Sequence, residues 1–330
     1  MILLVGAGAV GTVLAGHLAK AQRETLCIYA RQKDLASQGA LTELRIDYAT
    51  PGKPPLVVPR PDLSTSLDLA HTSYLLICVK FPQLAQLLTQ LSPIPAGCTV
   101  VSTLNGAAAL RLLREHSPQA RVIPLTIMYN GQLLGPLHAR ITTRAEVIAG
   151  GGDRELAKLF IGSGMTTRVA EGDSAVWGKL LINLANALCA LTHTTFKDLL
   201  TQPDLRALYV AVLDEAVAVL GAAGLDFQLP IAVPYRAYRL LLLRGGKIPW
   251  WFARAKNGLE DGSYPSMVAD VEQGRVTEAE QLNGEIARLA ASYGMSAPVN
   301  AQIVQMVAQL QQASPPAYLA PSDLRLHLGL

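Results

Sequence analysis

Within the apolar stretch Ala175 to Leu191, AVWGKLLINLANALCAL, three polar side chains recur at helical spacing: Lys179, Asn183 and Asn186. A helix turns about 100° per residue, which places Asn183 about 40° and Asn186 about 20° from Lys179 on one stripe. Leu180, Leu181, Ile182, Leu184, Leu188 and Leu191 fill the other faces, so the helix should be buried in its own domain. Lysine is rarely buried without a partner. In one reading the amides are satisfied in a core and Lys179 snorkels to solvent past Trp177. In the other the stripe lines a cleft, where a desolvated lysine of lowered pKa hands over a proton near neutral pH.

A second concentration of chemistry opens the chain. Ile2 to Val5 is an apolar run of strand type that leads into Gly6, Ala7, Gly8, Ala9, Val10 and Gly11, and Val10 to Lys20 reads as a helix. Strand, GxGxxG turn and helix form the entry of a dinucleotide fold. Gly6 permits the tight turn, Gly8 lets the backbone approach a pyrophosphate, Gly11 lets helix and strand pack closely, and the helix N-terminus receives the phosphates. Thr25 to Ala30 is the expected second strand. It ends at Arg31, where an NAD site usually carries an acid about 20 residues past the glycines. A guanidinium there suits the 2′-phosphate of NADP, with Gln32 and Lys33 adding polarity; the alternative is an ordinary solvated arginine at a strand end.

These residues need a scaffold. Strand-like Tyr74 to Val79, a helix from about Gln83 to Leu91, strand-like Thr99 to Leu104 and another short helix continue the alternation that builds a parallel, doubly wound sheet. Ligands of such sheets sit beyond the strand C-termini, where Lys80 and Asn105 fall. Arg121 to Met128, His138 to Thr143 and Glu146 to Ala149 read as further strands that complete this half. After about Glu171 strands give way to apolar helices at Ala175 to Leu191, Leu205 to Ala223, Val233 to Leu243 and Arg275 to Tyr293, and the first of these is expected to line the cleft between domains. In Ser263 to Gly284, Ser266 and Asp270 stand four apart and Glu278 follows, which taken alone reads as the polar face of an amphipathic helix.

At 330 residues, half of them hydrophobic and only 16% charged, the chain has the composition of two well-buried globular domains. A net charge of +3 without a Lys/Arg run favours a small-molecule partner over nucleic acid or a membrane. Cys27, Cys78, Cys98 and Cys189 stand singly, with no CxxC pair and no metal-ligand spacing, as expected of buried thiols in a reducing cytoplasm. Met1 to Ala19 lacks charge like a signal segment, but its four glycines and missing basic start argue against one.

Taken together, GAGAVG at Gly6 to Gly11, VKFPQ at Val79 to Gln83, LNG at Leu104 to Gly106, WGKLLIN at Trp177 to Asn183, SMVADVEQGRVTE at Ser266 to Glu278 and NG at Asn283 and Gly284 resemble the ketopantoate reductases (2-dehydropantoate 2-reductases). The resemblance implies NADPH-dependent reduction of a 2-keto acid, with Lys179 as proton donor. It implies that Asn183 and Ser266 hold substrate, and that Lys80, Asn105 and Glu278 stand around the cofactor and active site. The sequence departs from the family pattern at Ala187, Ser263, Tyr129 and Asn130, and in the bulky pair Trp250 and Trp251.

The expectation is an α/β N-terminal domain, residues 1–171, with a Rossmann-type doubly wound parallel sheet that binds NADP, and an all-α catalytic and substrate domain, residues 172–330. Lys179 and Glu278 are the expected catalytic pair. Asn183, Asn186, Ser266 and Asn105 are expected to bind substrate. Gly6 to Gly11, Arg31, Lys80, Asn105 and Glu278 are expected to bind cofactor. The expected activity is reduction of ketopantoate to pantoate by a cytoplasmic monomer or homodimer, with no metal, nucleic acid or membrane. Another small keto acid or an imine is the alternative substrate, and a non-catalytic NADP sensor the alternative class; such a sensor would need the glycine turn but neither Lys179 nor Glu278.

Overall fold

The computed structural model describes residues 1–91, 93–231, 233–257 and 259–330, with side chains for all of these except 256 and 257. The chain divides into two compact units, residues 1–104 with 108–175, and residues 105–107 with 176–330.

The first unit carries strands β1 (Ile2–Val5), β2 (Leu26–Tyr29), β3 (Glu43–Tyr48), β4 (Leu56–Pro59), β5 (Asp62–Ser64), β6 (Tyr74–Ile77), β7 (Thr99–Ser102), β8 (Arg121–Ile127), β9 (Gly131–Gly135), β10 (His138–Ile141), β11 (Glu146–Ala149) and β12 (Thr166–Val169). Between them run helices α1 (Ala9–Ala21), α2 (Gln32–Gly39), α3 (Phe81–Leu88), α4 (Ala108–His116) and α5 (Arg154–Lys158). Eight strands form one sheet in the order β12-β11-β8-β7-β6-β1-β2-β5, parallel except between β8 and β11. The order reverses between β1 and β6, so the crevice for a ligand opens beyond Val5 and Ile77. β1 is apolar throughout and every residue in it is buried, as a central parallel strand covered on both faces requires.

The sequence reading of the fold is right in class and incomplete in detail. His138 to Thr143 does not finish the doubly wound sheet: β10 belongs to a second, four-stranded sheet in the order β4-β3-β10-β9. Two of these strands leave little sequence signal, because β9 is mostly exposed and β4 is interrupted by exposed positions. α1 lies between the sheets, with Gly16 placed so that a Cβ there would meet Ile46 and Leu44 of β3 at 2.5 and 2.7 Å. That double coverage explains why residues 11–18 of α1 are all buried and the helix has no polar stripe. α3 begins at Phe81, two residues earlier than expected, because Pro82 can occupy the first turn of a helix, where no amide donor is needed.

The second unit is helical among its described residues: α6 (Ser174–Asn183), α7 (Ala185–Thr192), α8 (Phe196–Thr201), α9 (Pro203–Ala222), α10 (Tyr235–Arg244), α11 (Ile248–Asn257), α12 (Ser266–Glu272), α13 (Ala279–Ser292), α14 (Pro298–Gln312) and α15 (Pro321–His327), with α6 starting at the boundary of the first unit. Ser174–Thr192 is long and apolar enough to cross a membrane by composition, with a mean hydropathy of 1.4, yet 83% of that window is buried within the protein. It is a core helix.

Candidate active site

The expected single helix over 175–191 is two segments. Leu184 interrupts it: its amide reaches the carbonyls of both Leu180 (3.0 Å) and Leu181 (3.3 Å), a tightening of the turn. The Tyr209 hydroxyl donates to the carbonyl of Ile182 at 3.2 Å, offering that carbonyl a partner from α9 at the break. The ideal angular argument therefore holds for Lys179 and Asn183 on α6, and Asn186 lies beyond the interruption on α7. Tyr209, 1% exposed, was not among the expected site residues. Its only sequence signal was an aromatic residue on an apolar helix, which is indistinguishable from core.

Lys179 bonds Asn105 directly and is linked through it to Glu278, both from other segments. Its Nζ donates to Asn105 Oδ1 at 2.8 Å, and Asn105 Nδ2 donates to Glu278 Oε2 at 3.1 Å. Asn105 is held by its neighbours. Thr103 before it ties its hydroxyl to the Ile77 carbonyl at 3.0 Å. Gly106 after it adopts φ +76°, where a Cβ would lie 2.5 Å from the Gln281 carbonyl oxygen. No side chain fits there, which is the physical content of the LNG triplet. Gly178 is packed in the same way: a Cβ on it would sit 1.8 Å from the Gln228 carbonyl oxygen, so α6 approaches that backbone closely just before Lys179.

Glu278 is the N-cap of α13, and the long helix expected from Arg275 begins only at Ala279. Ser263 to Gly284 is thus not one amphipathic helix but α12, a turn, and the start of α13. Asp270 pairs with Arg275 at 2.8 Å rather than joining a site. Ser266 opens α12, is exposed, and makes no hydrogen bond to Lys179, Asn105 or Glu278. Asn283, from the NG pair, is fully buried and donates to Asn300 Oδ1 at 2.9 Å. By contrast Asn183 and Asn186 are half-buried, and neither amide has a hydrogen-bond partner among the described residues. Two core amides would not be left so.

Burial lowers the Lys179 ammonium from its ordinary 10.5 to about 8, and the Glu278 carboxylate pulls it part of the way back. The group stays protonated at neutral pH yet gives up its proton far more readily than a solvated lysine. That is the requirement for a general acid working on an oxygen that becomes negative.

In the first unit the Gly6 to Gly11 turn has the form of a phosphate cradle. Gly6 adopts φ +105°, and a Cβ on Gly11 would lie 1.9 Å from the Gly6 carbonyl oxygen, so turn and helix are in backbone contact. Gly8 is extended and faces open space, with nothing within 4 Å of where its Cβ would be. The first-turn amides of α1 have no intrahelical acceptor, and together with that opening they fit a pyrophosphate. Arg31 is the N-cap of α2 after β2, and Lys80 is the N-cap of α3 after β6; both are exposed. Tyr129, one of the departures from the family pattern, is buried and donates its hydroxyl to the Val10 carbonyl at 3.1 Å. Of the other departures, Trp250 is 3% exposed and Trp251 60% exposed, so the two tryptophans serve different surroundings.

Two family models match, ketopantoate reductase PanE/ApbA over residues 2–154 and ketopantoate reductase PanE/ApbA C terminal over residues 173–311. The chain belongs to the ketopantoate reductase family. It is 28% identical to a 2-dehydropantoate 2-reductase of Aquifex aeolicus, an alignment that covers 92% of this chain and 95% of the relative. A solved PanE/ApbA family ketopantoate reductase from Ralstonia eutropha superposes with a TM-score of 0.73 at 25% identity, covering 95% of this chain and all of the other. D-mandelate dehydrogenase, solved with NADH and anilino(oxo)acetate, shares the fold at a TM-score of 0.73 and 18% identity over 94% of this chain and 98% of its own. The fold and the family are those of nicotinamide-dependent oxidoreductases.

Proposed function

We propose that the chain is an NADPH-dependent reductase of 2-keto acids, with ketopantoate as substrate and pantoate as product. The observation that carries this reading is the hydrogen-bonded line Lys179, Asn105, Glu278 with a desolvated ammonium at one end. In this reading the unit comprising residues 1–104 and 108–175 binds cofactor, and the unit of 105–107 with 176–330 binds substrate and carries the proton donor. Gly6, Ala7, Gly8, Ala9, Val10 and Gly11 hold the pyrophosphate, Arg31 the 2′-phosphate, and Lys80 the cofactor beyond β6. When bound, the dihydronicotinamide supplies the hydride.

The protein's own part is electrostatic and acid catalysis. As negative charge grows on the keto oxygen, the Lys179 ammonium donates a hydrogen bond to it and then the proton itself. Asn105 accepts from that ammonium and directs it, and Glu278 fixes the amide of Asn105 while keeping Lys179 protonated. Asn183, with its amide unpartnered among the described residues and one turn along α6, orients the substrate, with Asn186 and Ser266 as further polar contacts. We place the enzyme in the cytoplasm as a monomer or homodimer; the four cysteines are free, buried thiols, as a reducing compartment would keep them.

The test is a set of 2-keto acids assayed by NADPH absorbance. Ketopantoate is expected to have the highest kcat/KM. Tight NADPH binding without turnover of any 2-keto acid would refute an enzymatic reading and leave a cofactor sensor.

A further inference from the structure

The turn that follows β2 holds an acid, Asp34, beside the two cations Arg31 and Lys33. Arg31 and Asp34 lie three residues apart at the start of α2, and Arg31 Nε donates to Asp34 Oδ2 at 2.5 Å. The backbone builds the pair: the amides of Asp34 and Leu35 both bond the Arg31 carbonyl, at 2.8 and 3.1 Å. The side chains are 59% and 29% exposed, so the pair faces outward from the strand end and is not part of the core. Only one edge of each group is used. Neither Nη of Arg31 and neither lone pair of Asp34 Oδ1 has a partner among the described residues.

We propose that Arg31 and Asp34 together read the ribose 2′ position, Arg31 through its Nη edge for a phosphate and Asp34 through Oδ1 for a hydroxyl. This rests on the reading that Arg31 takes the 2′-phosphate. A guanidinium alone at the end of β2 would reward the phosphate and offer nothing to a cofactor that lacks it. A carboxylate within hydrogen-bond reach of that guanidinium changes both sides of the comparison. It neutralises part of the cation and repels the phosphate dianion, and it supplies the acceptor that hydroxyl recognition requires. The chain should therefore bind NADPH in preference to NADH by a modest margin and accept both. Asp34 as a mere helix-dipole or surface ion-pair residue predicts no such effect, because those roles act on folding and not on the choice of dinucleotide.

The experiment is fluorescence titration of the full chain with NADPH and with NADH, on the unmutated protein, Asp34→Asn and Arg31→Ala, with melting temperature recorded for each. Asp34→Asn should tighten NADPH and weaken NADH, widening the ratio of their dissociation constants by about two- to fivefold, the range expected of an exposed charge pair. Arg31→Ala should weaken NADPH and leave NADH nearly unchanged. If Arg31→Ala weakens NADPH while Asp34→Asn leaves the ratio alone, Asp34 is a structural ion-pair partner only and the inference falls by itself. If Arg31→Ala leaves NADPH unchanged, the 2′-phosphate reading of Arg31 falls and takes the inference with it. A lower melting temperature in Asp34→Asn with an unchanged ratio likewise counts against it.

Discussion

The glycine turn at Gly6 to Gly11 and the Lys179 line use opposite resources. In the turn the proposed chemistry belongs to backbone amides, and a side chain is excluded at Gly11, where a Cβ would collide with the Gly6 carbonyl oxygen at 1.9 Å. In the Lys179 line the proposed working atoms are all side-chain atoms, an ammonium, an amide and a carboxylate drawn from α6, residue 105 and the N-cap of α13. A backbone site resists changes of polarity and fails on an added methyl. A side-chain site fails on the loss of one nitrogen.

The sharpest way to break that contrast is Lys179→Ala. It should lower kcat by at least about 100-fold, the smaller end of what proton transfer contributes, while the dissociation constant of NADPH changes little. Turnover within a few-fold of the unmutated protein would make the polar stripe structural. Lys179→Arg should rescue little, since a guanidinium does not release a proton near neutrality.

Within the turn, two alanine substitutions should separate packing from binding. Gly11→Ala forces backbone atoms apart and should cost about 1–3 kcal/mol of stability by denaturant titration. Gly8→Ala places its methyl in open space on extended backbone, so stability should hold while NADPH affinity falls by about tenfold or more, roughly 1.4 kcal/mol. Equal loss of stability in both would show that the opening at Gly8 is not where the pyrophosphate lies.

Two asparagines of the second unit form a similar pair. Asn183→Ala should raise KM and lower kcat/KM several-fold with little change in Tm, because its amide has no partner to lose among the described residues. Asn283→Ala should do the reverse, costing about 1–3 kcal/mol of stability by leaving Asn300 Oδ1 without its donor in the core. The opposite pattern would reassign both residues.

The smallest effect is in the pH profile. The acid form of Lys179 is lost as pH rises through about 8, so kcat should fall on the alkaline side of that value. Glu278→Gln removes the charge that favours the ammonium, so that limb should move to lower pH. A limb that stays in place would mean that another group sets it.

The sequence by itself was enough for the glycine turn and the doubly wound class, because both are local: a strand, a fixed spacing of glycines and a helix determine one another over about 20 residues. It also marked Lys179 and Asn183, since one helical turn relates them. It could not place β10 in a second sheet, because strand partners are chosen by packing across long stretches of chain. Nor could it tell Asn183 from Asn283, for both are asparagines within helices, and only tertiary packing buries one against Asn300 and leaves the other's amide without a partner among the described residues. The line that joins Lys179 to Glu278 through Asn105 contains a hydrogen bond between residues 173 positions apart, Asn105 and Glu278. No spacing rule reaches that far, and the desolvation that lowers the lysine exists only once the helices around it have closed.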